Sequence, residues 1–180
     1  ITANIAQGNL DEAQRIVDEL VKRLPTGGVL SLRALVEVAK GEDEAAQKDF
    51  EAAIGLEEPG DPYGSAWLRT QLGRLHARRG RNQEARLLFR EALRIASDYA
   101  LAQLSLADLN VKTGDYKTAT SLYQDVLDRA KESSTVFDHV ALQGLWRASV
   151  LQGDDTTAAE MWTKAEAIIR KDVYSGSFGH

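Results

Sequence analysis

Five times along the chain a glycine is followed five residues later by an alanine and, four residues after that, by a bulky side chain. The sets are Gly8–Ala13–Val17, Gly41–Ala46–Phe50, Gly80–Ala85–Phe89, Gly114–Ala119–Tyr123 and Gly153–Ala158–Trp162. Their glycines stand 33, 39, 34 and 39 residues apart. Self-similarity at such a period marks a solenoid, a stack of supersecondary units that bury their apolar faces only against one another.

Each glycine sits between two amphipathic runs, as in Lys40-Gly41-Glu42 and Thr113-Gly114-Asp115. Glycine just past a helix end takes the left-handed conformation without a Cβ penalty. Asn or Asp in the same turn caps the next helix by accepting its free N–H groups. In the second helix of each unit the alanine marks a close approach, and the knob follows one turn later. Leu20, Ala53, Ala92, Val126 or Ala165 then stands seven residues past the alanine. Spacing of i, i+4, i+7 keeps all three on the buried face. First helices carry Leu72-Gly73, Leu106-Ala107 and Leu145-Trp146 at matching places, and Trp146 breaks the small half of that pair.

The segments 113–127 (TGDYKTATSLYQDVL) and 72–93 (LGRLHARRGRNQEARLLFREAL) show a unit of this kind most clearly. The pattern resembles the tetratricopeptide repeat, and the resemblance covers nearly the whole chain. It implies an all-α, right-handed solenoid of five helix-turn-helix units, the first incomplete. The expected repeats are 1–26, 27–59, 66–99, 100–133 and 139–173, forming one solenoid over 1–173, with 174–180 a tail or the start of a further unit. Insertions are expected at 55–65, rich in proline and glycine and read as a loop, and at 128–140, read as a lengthened helix pair around Ser133-Ser134. Arg33 and Glu37 fall where the second repeat calls for apolar residues, so its first helix is expected out of register or loosely packed. Because the sequence opens at Ile1 already within a repeat, we expect an excised or processed piece whose array continues in a parent chain.

Chemistry is sparse. There is no cysteine, hence no disulfide framework or thiolate. His76, His139 and His180 lack metal-ligand spacing, and His76 reads as a packing residue. Acidic pairs Glu57-Glu58 and Asp154-Asp155 read as solvated helix flanks. No phosphate loop or nucleophile elbow occurs. We therefore expect no enzyme, no metal and no cofactor. No apolar run is long enough to span a membrane, and no signal peptide is visible.

Charge is more informative. The chain carries −5, yet residues 66–99 hold eight arginines against three acids. Arginine's planar fork suits carboxylates. The arginines serve either as solvated stems pairing with acidic neighbours or as a patch for an acidic partner. The acidic balance and the lack of interleaved aromatics argue against nucleic acid.

The family resemblance implies that first helices line a concave groove. Carried onto this chain, that groove comprises Trp67, Thr70, Arg74 and Arg78, then Leu101, Leu104, Asp108, Val111 and Lys112, then Val140, Gln143, Arg147 and Val150. Arg74, Arg78 and Arg147 would steer an acidic or amphipathic segment, with Trp67 and Leu101 as apolar anchors. Arg74 pairing with Asp108 is the alternative. A chaperone-tail clamp would need lysines and asparagines at Ser31, Leu35, Gln71, Leu101 and Ser105, or at Thr70, Arg74, Ser105, Val140 and Gly144, and neither set has them. The expected function is a non-catalytic scaffold that binds a protein or peptide. The alternatives are self-association through uncapped ends, or regulation of an enzyme elsewhere in the parent chain.

Overall fold

The computed structural model describes residues 1–57, 59–129 and 136–175. Glu58, Ser133-Ser134, His180 and most of the expected tail lie outside the described residues. The described residues form helices joined by short turns, and the chain divides at a repeat boundary into two compact units, 1–99 and 100–180.

The first unit contains α1 (Thr2–Ala6), α2 (Leu10–Arg23), α3 (Gly27–Lys40), α4 (Asp43–Gly55), α5 (Pro62–Arg78) and α6 (Asn82–Ile95). The second contains α7 (Ala100–Lys112), α8 (Tyr116–Arg129), α9 (Val136–Gln152) and α10 (Asp155–Ser175). Within each unit every helix packs on the next, so the chain runs as a series of hairpins.

The glycine ladder reverses the chain as its chemistry requires. All five turn glycines have φ between +77° and +83°, the left-handed region. Behind Gly114 the Asp115 N–H donates to the Asn110 carbonyl at 2.9 Å, and behind Gly153 the Asp154 N–H donates to Ser149 in the same way. These bonds satisfy carbonyls that the helix end would otherwise leave open. Asp115 and Asp154 then cap the next helix, accepting from the N–H groups of Thr118 and Thr157.

The alanines fill their places. Ala13, Ala46, Ala85 and Ala119 are wholly buried, and so are the knobs Val17, Phe50, Phe89 and Tyr123 to within about 1%. Each such aromatic buries surface worth about 1.5–3 kcal/mol. Core clusters among the described residues include Ala13, Val17 and Val36; Phe50 with Leu30, Leu68, Leu72 and Leu75; and Tyr123 with Leu104, Leu142 and Leu145.

Three expectations need correcting. The region 55–65 is not wholly a loop, because α5 starts at Pro62. Proline lacks only an N–H that a first turn leaves free anyway, and Asp61 caps the helix by accepting from Gly64. Helix α3 is not out of register: Leu30, Ala34 and Val36 are buried. Arg33 instead forks onto Asp49 of α4 at 2.5 and 2.7 Å, which makes a polar site tolerable in the packed face. The fifth knob is the third departure, since Trp162 is 60% exposed and Met161 takes the buried place. In α5 the small partner of the knob is Gly73, where a Cβ would lie 2.6 Å from the Phe89 ring. At the matching place in α9 stands Trp146, too large for the knob to close over. The two indoles meet at the surface, tilted 52° to one another with centroids 5.9 Å apart.

Candidate functional site

In the first unit, α3, α4 and α5 enclose a cleft of about 290 Å³ lined by Val38, Phe50, Gln71, Arg74, Leu75 and Arg78. Trp67 stands edge-on to Phe50, ring centroids 6.3 Å apart. The cleft floor is therefore apolar and its rim cationic. The two arginines differ in their bonding. Arg78 is tied to Asp43 at the start of α4. Arg74 is exposed, with no carboxylate of the described residues within salt-bridge reach. Its charge is felt by Tyr99, whose phenol is held above its ordinary value by burial while Arg74 draws it down. Thr70 is fully buried, its hydroxyl donating to the Ala66 carbonyl at 2.7 Å. It supports the α5 backbone and cannot touch a ligand.

In the second unit, Leu104 and Val111 are core residues, so both are removed from the groove lining. Leu101 is half-buried, and Lys112, Gln143, Val140 and Val150 are exposed. Asp108 is the centre of a small network. It accepts from the Tyr123 hydroxyl at 2.6 Å and from Arg147 at 2.5 Å, and Arg147 also reaches that hydroxyl at 3.5 Å. Burial, then the Asp108 carboxylate, pushes the Tyr123 phenol well above its ordinary range, so it stays a donor. Asp108 is thus engaged within its own unit, and Arg147 arrives already paired. Exposed ion pairs of this kind contribute about 0–1 kcal/mol. Their larger effect is to hold both side chains in place.

Sequence reasoning missed a charged cluster at α2–α3–α4. Beyond its bond to Asp49, Arg33 lies 3.8 Å from Glu37 and 3.9 Å from Asp18. Burial, then the Asp49 charge, raises the Glu37 carboxyl from near 4.5 to about 7. The signal was present in the sequence: two ionisable residues, Arg33 and Glu37, at apolar positions one turn apart. His76 is buried with Nδ1 unpartnered and is held below its usual value by burial, then by the charge of Arg81. Among the described residues no group of three His, Asp or Glu side chains could hold a metal ion. No described helix is long and apolar enough to cross a membrane.

Two models of the tetratricopeptide repeat match the chain, one over residues 25–98 and the other over 76–142. Cellulose synthase operon protein C of Xanthomonas axonopodis pv. citri (strain 306) is 35% identical over 132 residues, covering 68% of this chain and 8% of that protein. The chain thus spans under a tenth of this curated relative. Among solved structures, MamA superposes with a TM-score of 0.74 at 19% identity, covering 96% of this chain and 95% of that one. A putative kinesin light chain with nearly identical TPR-like repeats from Podosopora anserina gives 0.78 at 16% identity, covering 96% and 92%. At these identities the likeness shows a shared fold.

Proposed function

This chain belongs to the tetratricopeptide repeat family, and from that premise we propose that it is a non-catalytic docking module that holds an acidic, amphipathic segment of a partner protein. Repeats of this kind make protein-interaction scaffolds. The observation that carries the finer reading is Arg74, an arginine that no carboxylate of the described residues pairs with, at the rim of an apolar cleft. A peptide carboxylate supplies the missing charge, and an adjacent apolar side chain enters between Val38, Phe50 and Leu75. Arg78 and Arg147, held by Asp43 and Asp108, contribute field and shape more than free bonding capacity.

The curated relative directs the choice of partner. Its name ties it to a cellulose synthase operon, so proteins encoded beside the parent gene are the first segments to try. Their acidic stretches, as labelled peptides, are titrated with the chain and followed by fluorescence anisotropy. Arg74→Glu is expected to weaken binding by about tenfold or more and to flatten its salt dependence. Unchanged affinity and salt dependence in that variant would overturn the cleft reading.

Self-association is a second reading, favoured by the apolar residues that α9 and α10 leave exposed, namely Val150, Leu151, Trp146 and Trp162. Light scattering over a concentration series tests it, and a constant monomer mass excludes it.

A further inference from the structure

Six of the eight arginines of residues 66–99 fall into two groups. Arg69 bonds Glu57 at 2.6 Å, Arg78 pairs with Asp43, Arg79 reaches Glu44 at 3.4 Å and Arg81 donates to Gln47 at 3.1 Å. These tie the third repeat to the second helix of the repeat before it and to the segment that follows that helix. Arg90 and Arg94 do neither. Both are exposed on α6, and no carboxylate of the described residues comes within 4.0 Å of them. Standing four residues apart, they share one edge of the helix, and Arg86 continues that edge one turn earlier.

Like charges at this spacing destabilise a helix. Arg94 stands in the last turn of α6, where a cation suits the helix dipole, and Glu91 precedes it by one turn, but no carboxylate of the described residues forms an ion pair with Arg90 or Arg94. Beside them lies Leu87, 61% exposed, the most exposed large apolar side chain among the described residues. Glu84 and Glu91, also exposed, run along the other edge of the same outward face. The inward face carries Ala85, Phe89 and Ala92, all buried, with Phe89 closed over Gly73 of α5. The arginine edge and Leu87 thus face away from α5, on which the Arg74 cleft is built.

We propose that this outward face of α6 is a second docking surface, for an acidic segment of a partner protein. Carboxylates one helical turn apart would meet Arg90 and Arg94 fork to fork, and an apolar residue between them would cover Leu87. A short segment senses only this local cationic edge. A long polyanion would also meet the net charge of −5 that the whole chain carries. The occupant is therefore a peptide segment, not nucleic acid.

The test titrates the full chain against a labelled helical peptide with Glu pairs four residues apart and a central Leu. A peptide of the same composition with the Glu residues dispersed is the control. Arg90→Ala with Arg94→Ala is expected to weaken binding about tenfold, and Leu87→Ala several-fold, and both losses should persist in an Arg74→Glu background, where the cleft no longer competes for the peptide. The double variant should unfold at about the same temperature as the parent, since removal of the repulsion offsets loss of a cation from the last turn of α6. Any of four results would overturn the proposal: equal affinity for the dispersed control, unchanged binding in the double variant, loss of binding only in Arg74→Glu, or equally tight binding of heparin. Sensitivity to Arg74 alone would assign the peptide to the cleft, which separates failure of this surface from failure of the first.

Discussion

A carboxylate within a helix pair costs free energy unless enough positive charge meets it, and Glu37 shares its arginine with two competitors. Asp49 of α4 takes both forks of Arg33, and Asp18 of α2 and Glu37 of α3 are left at the margin. Glu42, at the start of α4, adds a further negative charge nearby. Glu37 Oε2 is buried without a hydrogen-bond donor. Burial and these neighbours raise its folded-state value to about 7, so the folded protein holds the proton more tightly than the unfolded chain does. The resulting stability is complete below the ordinary value of about 4.5 and is lost as pH rises through about 7. Glu37→Gln should therefore remove that part of the pH dependence. It should raise stability at pH 8 by roughly 1–3 kcal/mol, read from urea unfolding across pH. A variant no more stable than the parent at pH 8 would show that the charge is well compensated. This cluster was only half legible in the sequence. The misfit of Arg33 and Glu37 in the apolar pattern was visible, but Asp49, sixteen residues downstream of Arg33, reads as an ordinary exposed helical acid until the hairpin closes.

Between helices, the small-against-large rule sets how closely neighbours approach. Gly144 of α9 lies under the Tyr123 ring of α8, where an added Cβ would stand 2.3 Å from two ring carbons. The ring is fully buried and its hydroxyl is held by Asp108, so it has nowhere to withdraw. Alanine gains about 1 kcal/mol over glycine in helix propensity, whereas overpacking a core costs about 1–3 kcal/mol. We expect Gly144→Ala to destabilise the second unit by about 1–2 kcal/mol, seen as a lower urea midpoint with an unchanged slope. A higher midpoint would refute this packing account. Gly144 escaped the sequence reading because it lies outside the ladder and contacts the knob of the repeat before its own. Trp162 misled for the converse reason. Its ladder position promised burial, but Trp146 occupies the space the knob needs, and only packing weighs one residue's volume against another's.

At the scale of the molecule the contacts divide at Tyr99, each unit closing its own hairpins and core clusters. Stability in repeat arrays is nearly a sum of repeat and nearest-neighbour contributions, so a whole unit should survive by itself. A fragment of residues 1–99 is expected to be monomeric and helical, with a cooperative thermal transition by circular dichroism. Absence of cooperativity would mean that its core depends on the rest of the chain. The sequence alone determined the repeat class, the left-handed turn glycines, the buried alanines and four of the five knobs, because these follow from spacing and local backbone chemistry. It also showed that one repeat holds an excess of arginine. Only the tertiary structure decided which arginines are already paired, since a partner's distance along the chain says nothing of its distance in space. Arg69, Arg78 and Arg79 found carboxylates across helix boundaries, whereas Arg74, Arg90 and Arg94 found none among the described residues. The glycine–alanine ladder carries the fold, and the arginines without an ion pair among the described residues, Arg74, Arg90 and Arg94, carry the proposals for binding.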